Sequence, residues 1–237
     1  MILRTVWLTE MLALAILFVL TSILFLIEAK KTNNPILRKY YVAIALFMLI
    51  FGLNGFLDYF AQHAIHVLGQ DDFLPENMRF LTVGQNSFLI MITLLQLGFA
   101  VLSYVIETFI TNSERKYLHK TLLVCFGISF LSYLGPLVPT DYHELIYLIV
   151  NATLIPFALI IVYWGVFYLR LAKNSPGSVR KKALMVAFGL GFLFFGIIMD
   201  TMYRGAVFGE YALPIFFKSV SLIGVPLLIF GFRRKDL

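Results

Sequence analysis

The chain has 237 residues, of which 60% are hydrophobic and 14% are charged, and its mean hydropathy is +0.89. Because soluble domains carry about 25% charged residues, this composition excludes a soluble protein and predicts a polytopic membrane protein. The formal net charge is +6, and the basic residues lie between apolar runs. We therefore expect them to contact anionic lipid head groups and not nucleic acid. The single cysteine, Cys125, excludes an internal disulfide bond.

Seven apolar stretches are long enough to cross a bilayer, because a hydrocarbon core about 30 Å thick needs about 20 apolar residues in a helix. Backbone polar groups in lipid must be satisfied within the segment, which predicts helices and not open strands. The sequence therefore predicts an all-α fold, with residues 1–237 forming a single domain and one bundle of seven transmembrane helices. The predicted spans are 6–27, 40–62, 83–108, 118–137, 145–169, 183–202 and 212–232.

The distribution of Lys and Arg predicts the orientation of these spans. Positive charge is retained on the cytoplasmic side, and most basic residues lie in the first, third and fifth connections and after the last span. We predict an outside amino terminus, a cytoplasmic carboxyl terminus and a multi-pass location in the cell membrane. The residues are Lys30, Lys31, Arg38, Lys39, Arg115, Lys116, Lys120, Arg170, Lys173, Arg180, Lys181, Lys182, Arg233, Arg234 and Lys235.

The second and sixth predicted spans share a spacing that suggests an internal repeat. In each, a proline precedes an Arg-Lys pair, and an aspartate follows the arginine by 20 residues. A parallel repeat of three plus one plus three helices would resemble the design of some small transporters. Alternatively, proline and basic residues simply flank helix ends, which leaves only the aspartates unexplained. The compared positions are Pro35, Arg38, Lys39, Asp58 and Pro176, Arg180, Lys181, Asp200.

Polar residues within the spans concentrate toward the predicted outer side, and ionisable residues inside a membrane are costly and usually functional. Their positions predict an outward-facing polar cavity that binds a small ligand. The alternatives are residues that snorkel to the interface and an Asp–Lys pair that only fixes helix packing. Glu10 is predicted to begin the first helix, while Gln96 and Glu107 are the main polar residues in the inner half of the spans. The predicted ligand-binding residues are Asn54, Asp58, Gln85, Asn86, Asn151, Asp200, Arg204 and Lys218.

Small and helix-breaking residues also lie within the spans. Gly189, Gly191 and Gly196 are predicted to permit close helix packing. Pro156 and Pro226 interrupt backbone hydrogen bonding and are predicted to bend helices or to free carbonyl acceptors.

No nucleophile motif supports an enzymatic function, which the sequence leaves uncertain and disfavours. His63 and His66 could bind zinc together with a nearby acid, but interfacial loop histidines are the more ordinary interpretation. We therefore predict no metal site and no catalytic residue.

The size, the seven spans, the outside amino terminus and the lysine in the last span resemble microbial rhodopsins. In that family the last-helix lysine carries retinal as a Schiff base, so the resemblance implies retinal at Lys218 as a less favoured alternative. The sequence departs from the family's motifs. Pro214 stands where the family usually has an acid four residues before the lysine, and Arg79 is followed by Thr82 where an acid is expected.

Two further segments are similar to uncharacterised archaeal seven-helix membrane proteins and to the seven-helix sensor regions ahead of some histidine kinases. They are Ser-Tyr-Val-Ile-Glu-Thr-Phe-Ile near the end of the third span and Gly-Val-Pro-Leu-Leu-Ile-Phe-Gly-Phe near the end of the chain. This resemblance implies sensing.

The leading functional hypothesis is a receptor-like or sensory protein that binds a small molecule or lipid from the outer side. It would signal through a cytoplasmic protein partner at the basic inner loops. The alternatives are a small-solute transporter of three plus one plus three helices and a structural subunit of a membrane complex. A transporter requires a site near the middle of the membrane, and the sequence places few charges there.

Overall fold

A computed structural model describes residues 2–67, 85–114, 116–137, 142–206 and 212–233. Within these ranges the chain is almost entirely helical and contains no strand. Side chains at 64–66, 85–89, 135, 136, 198 and 200–206 lie outside the description. The helices are α1 (Ile2–Lys31), α2 (Pro35–His66), α3 (Gln85–Val105), α4 (Tyr117–Leu131), α5 (His143–Ala152), α6 (Leu154–Asn174), α7 (Gly177–Ala206) and α8 (Ala212–Phe232).

Six helical segments in these ranges are long and apolar enough to cross a membrane. They comprise α1, most of α2, α3 from Ile90 with the π-helical turn Ile106–Ile110 that follows it, α4 with the start of its 3-10 extension, the run α5–α6, and α8. Helix α7, with part of its side chains undescribed, is not among them. Large apolar side chains such as Leu20, Leu148 and Phe230 are more than half exposed. Such surfaces require an apolar solvent, as in a multi-pass membrane protein.

The predicted spans agree with the helices in order and approximate position, but two details differ. Helix α1 already begins at Ile2, so Glu10 lies more than two turns inside the helix, and its predicted place at the helix start is wrong. The predicted fifth span is two helices, α5 and α6, which meet at Thr153. Pro156 lies in the first turn of α6, where its missing N–H and fixed φ are tolerated. Pro226, in contrast, lies inside α8, which continues past it.

The turn between α1 and α2 is short because the start of α2 is capped by its own sequence. The Asn34 side-chain Oδ1 accepts hydrogen bonds from the backbone N–H groups of Ile36 (2.9 Å) and Leu37 (3.2 Å). Pro35 occupies the first turn, where its missing N–H has no partner to lose. This cap places the basic residues at the beginning of α2 directly after a tight reversal of the chain.

The chain divides into two compact units, residues 1–18 with 160–237 and residues 19–159. In the first unit, α7 and α8 pack along a seam of glycines. A Cβ added at Gly224 of α8 would lie 2.9 Å from the carbonyl oxygen of Gly189 on α7, and one at Gly196 would collide with Ser221 and the Phe217 carbonyl. The predicted packing role therefore holds for Gly189 and Gly196. It does not hold for Gly191, where an added Cβ meets nothing within 4 Å.

The second unit has an aromatic core built from α2, α3 and the start of α6. Phe99 lies 5.2 Å from Phe51, 6.0 Å from Phe47 and 5.1 Å from Phe157 between ring centroids, all in edge-to-face arrangements. Gly98 allows this approach, since an added Cβ would lie 2.7 Å from the Phe51 ring. Edge-to-face contacts of this kind stabilise an apolar core beyond the area that they bury.

Candidate functional site

The predicted ligand-binding residues divide into those whose side chains are described and those that are not. Four fall outside the description, and their predicted roles stay predictions: Gln85, Asn86, Asp200 and Arg204. Of the remainder, Lys218 and Asp58 are deeply buried, with relative exposures of 5% and 7%. Asn54 and Asn151 are half-buried. The two buried ionisable side chains both interact with neighbouring groups.

Lys218 lies in a part of α8 whose backbone is fixed by close packing. The Phe217 carbonyl and Ser221 are the groups that an added Cβ at Gly196 of α7 would meet. Ser221 is fully buried, and its hydroxyl donates to the Phe217 carbonyl at 3.3 Å. This stretch therefore cannot shift away from α7 without losing the glycine contact, and it holds Lys218 in the interior of its unit.

Next to Lys218, Ser219 connects α8 to α1. Its hydroxyl donates to Glu10 Oε1 at 2.8 Å. The interval between the two residues is 209 positions in the chain, and no local sequence signal announces the contact. Glu10 was not among the predicted site residues, because its assignment to a helix start made it an ordinary interfacial acid. The structure therefore adds a carboxylate to the segment of α8 that carries the buried lysine.

These ionisable groups lie at a similar depth in their own helices. Lys218 is six residues from the beginning of α8, Glu10 eight residues from the beginning of α1, and Asp58 eight residues from the end of α2. At about 1.5 Å per residue these intervals correspond to roughly 9–12 Å. All three helix ends belong to the predicted outer side. Each charge is therefore well within its apolar helix rather than at its end.

Asn54 and Asn151 differ in how their amides are satisfied. The Asn54 Oδ1 atom is buried and accepts no hydrogen bond from the described residues. It lies one turn before Asp58, so the two residues share a face of α2. The Asn151 amide instead donates to the Tyr147 carbonyl of its own helix at 2.9 Å. Asn54 is the better-placed group to accept a hydrogen bond from a ligand.

A second polar cluster lies in the unit formed by residues 19–159, and sequence reasoning largely missed it. Gln96 of α3, which is fully buried, donates through Nε2 to Thr153 Oγ1 at 2.5 Å and accepts from the Ser129 hydroxyl of α4 at 2.7 Å. Thr153 in turn donates to the Val150 carbonyl at 2.6 Å, in the turn that separates α5 from α6. We call Gln96, Ser129 and Thr153 the Gln96 cluster.

The Gln96 cluster satisfies its own hydrogen bonds and joins three helical segments at a break. Ser129 is 12 residues from the start of α4, which corresponds to about 18 Å, near the middle of a hydrocarbon core. Of these three residues the sequence singles out only Gln96, because single serines and threonines in apolar runs are ordinary. The sequence signal for the helix break at this cluster is Pro156, three residues after Thr153.

Glu107, the other polar residue noted in the inner half, organises the turn between α3 and α4. Its two carboxylate oxygens accept from the backbone N–H groups of Leu118 (3.1 Å) and His119 (2.9 Å). These are first-turn donors that have no partner within α4, and negative charge is favourable at this helix end. Glu107 therefore serves as a cap supplied by a neighbouring helix.

Metal binding and retinal attachment are the two remaining hypotheses about a bound group. Among the described residues, no three His, Cys, Asp or Glu side chains are grouped to hold a metal ion. Lys218 is buried, as a retinal-bearing lysine would be, and retinal attachment there stays a prediction. Comparison with protein families, with curated proteins and with solved structures finds no match.

Proposed function

We propose that this protein is a receptor-like sensor of the cell membrane with seven spans and an outside amino terminus. In this proposal a small molecule or lipid binds from the outer side, in contact with Lys218 and the Glu10–Ser219 pair. The observation that carries the proposal is the burial of Lys218 within an apolar helix, at 5% exposure. Asn54 and Asp58 provide a second polar position at a similar depth of α2.

The physical argument is the cost of keeping charge in a membrane helix. An ionisable residue in a transmembrane segment is unfavourable by several kcal/mol on insertion scales, and such residues commonly mark ligand or ion sites. If the Lys218 side chain extended to the membrane interface, this cost would be avoided, since a lysine stem can lie along an apolar surface. The side chain is nevertheless buried. A polar ligand at this position would add hydrogen bonds to groups that are already removed from water.

The rigid packing of α8 on α7 supplies a means of transmission. Both helices run from the predicted outer side to the predicted cytoplasmic side, where Arg180 and Lys181 are exposed on α7. Because the glycines of the seam bring α7 and α8 into close contact, a displacement near Lys218 would move both helices together. A cytoplasmic protein partner at the basic end would then detect the change.

Native mass spectrometry of protein extracted from its membrane tests the proposal. We expect wild-type protein to retain a small-molecule or lipid adduct that Lys218→Met loses. Lys181→Met, which removes an exposed lysine of α7, is the matched control and should retain the adduct. An adduct that is equal in all three proteins, or absent from the wild type, would contradict the proposal. Glu10→Gln should weaken retention without abolishing it, because Ser219 can still donate to the amide oxygen.

Transport is the second candidate function, and a specific observation favours it. The run α5–α6 is broken at Thr153 beside a polar cluster near mid-depth, and broken helices at this depth occur in transporters. A cysteine at Asn54 distinguishes the two. In a receptor it should react with an impermeant thiol reagent only from outside, whereas alternating access in a transporter should also expose it in inverted vesicles.

A further inference from the structure

An open groove with a volume of about 560 Å³ lies where α2, α3 and α4 meet. Its walls include Arg38, Lys39, Val42 and Leu46 of α2, Val101 of α3 and His119 of α4. We call it the α2–α4 groove. All of these residues belong to the unit formed by residues 19–159.

Along its length the groove changes from basic to apolar. Arg38 and Lys39 are exposed in the first turns of α2, and Val42 and Leu46 follow on the same face with exposures of 45% and 47%. From Pro35, which also lines the groove, to Leu46 the helix rises about 16 Å. This is close to half the thickness of a hydrocarbon core of about 30 Å. The groove thus matches one leaflet in length.

A third cation lies at the edge of the basic end. The Lys116 ammonium is 4.7 Å from the ring centroid of Tyr104, and the Tyr104 side chain lines the groove. The carboxylate of Glu107, in the π-helical turn that follows α3, is directed at the backbone N–H groups that begin α4. The acid is therefore engaged with the helix end. Three cations, Arg38, Lys39 and Lys116, lie at or beside this end of the groove.

His119 adds an orientable polar group. Its Nδ1 atom lies 2.8 Å from the Ala100 carbonyl oxygen. Because a carbonyl can only accept, Nδ1 carries the hydrogen, and Nε2 is the remaining ring nitrogen.

We propose that the α2–α4 groove binds an anionic phospholipid. The phosphodiester is held by Arg38, Lys39 and Lys116, and one acyl chain lies along Val42, Leu46 and Val101. Clusters of basic residues at a membrane surface attract anionic lipids, and here an apolar channel of one-leaflet length continues directly from the cluster. A soluble phosphate would use only the charged end and would leave this channel uncovered.

The test compares lipid retention in nanodiscs. Wild-type protein is placed in phosphatidylcholine bilayers doped with phosphatidylglycerol or, separately, with phosphatidylserine, and bound lipid is counted by native mass spectrometry after release. A basic residue near an anionic surface contributes about fivefold in affinity (about 1 kcal/mol). The double variant Arg38→Gln/Lys39→Gln should therefore retain both anionic lipids roughly 25-fold less well than the wild type does.

Two further variants give the test its controls. Arg180→Gln/Lys181→Gln removes an equivalent exposed Arg-Lys pair on α7 and should retain anionic lipid as the wild type does. Val42→Trp keeps every charge and fills the groove with bulk, so it should also lose the lipid. Unchanged thermal unfolding in pure phosphatidylcholine establishes that the groove variants are folded.

Equal loss of lipid in the α7 control would mean general surface attraction, and full retention by Val42→Trp would mean that no acyl chain occupies the groove. Either result overturns the proposal. An acidic peptide partner is the remaining alternative. If Arg38→Gln/Lys39→Gln abolished binding of a polyglutamate peptide but left lipid retention unchanged, the basic end would belong to a protein contact and the lipid site would be refuted.

Discussion

The α7–α8 seam and the Gln96 cluster hold helices together within a membrane-type interior by opposite means. At the seam, Gly189, Gly196 and Gly224 bring the two helices so close that a Cβ added at any of them would lie 2.9 Å or less from an atom of the facing helix. In the cluster, three side chains connect α3, α4 and the α5–α6 break through hydrogen bonds. A glycine has no rotamer to change, whereas a hydroxyl can exchange partners. The seam is therefore suited to rigid transmission and the cluster to an adjustable joint.

The largest effect should follow from filling the seam. Gly196→Leu would place side-chain atoms in the space of Ser221 and the Phe217 carbonyl. Overpacking of this kind costs about 3 kcal/mol, and here the obstacle is partly backbone that cannot move aside. We expect this loss in the free energy of unfolding, measured by denaturant titration in mixed micelles.

Gly191→Leu is the matched control for the seam, since it adds the same atoms on the same helix where nothing lies within 4 Å. It should leave stability unchanged or raise it slightly, because leucine favours a helix more than glycine does. Equal destabilisation by both substitutions would mean that the glycines act through helix propensity and not through the seam.

A smaller effect is expected in the cluster. Gln96→Leu removes two hydrogen bonds between helical segments, and in membrane proteins each is worth about 1 kcal/mol. Stability should therefore fall by about 1–2 kcal/mol. The triple variant Gln96→Leu/Ser129→Ala/Thr153→Val should lose less than the sum of its single changes, because no buried polar group is then left without its partner. Strict additivity would show that the three side chains are not one network.

The smallest effect concerns the cap that α3 supplies to α4. Glu107→Gln keeps one accepting oxygen but loses the charge that favours the helix beginning, which should cost about 1 kcal/mol. Glu114→Gln, in the exposed part of the same turn, should be neutral. Hydrogen exchange at Leu118 and His119 is the sharper readout, and unchanged protection of these two amides in Glu107→Gln would contradict the cap.

Hydropathy was sufficient to predict the helices, since each apolar run of membrane length corresponds to a helix or a helix pair. The last span was predicted as 212–232, and α8 has the same bounds. The break at Thr153 was not predicted, because the apolar content of residues 145–169 is continuous and hydropathy averages over a turn. A local backbone event of this kind depends on Pro156 and on a hydroxyl that contacts α3.

The candidate site was harder to predict from the sequence than the helices were. The depth of Asp58 and Lys218 could be estimated because each is a rare charge in an apolar run. The Glu10–Ser219 contact depends on which helices are neighbours, and the order of helices along the chain does not determine that. The same holds for Ser129, which matters because it donates a hydrogen bond to Gln96, a residue 33 positions away in the sequence.

The turn between α3 and α4 has a consequence for ligand affinity. Asn112 and Lys116 both adopt positive φ angles, 48° and 49°, a conformation that costs non-glycine residues energy. The Glu107 carboxylate, the Glu107 carbonyl bonded to the Ser113 N–H at 2.6 Å and the cation–π contact of Lys116 together over-determine this conformation. One wall of the α2–α4 groove is thus preorganised before any lipid arrives, so that binding loses little conformational entropy there. Under the lipid-binding proposal, selection among lipids would then depend on head-group charge more than on rearrangement of this wall.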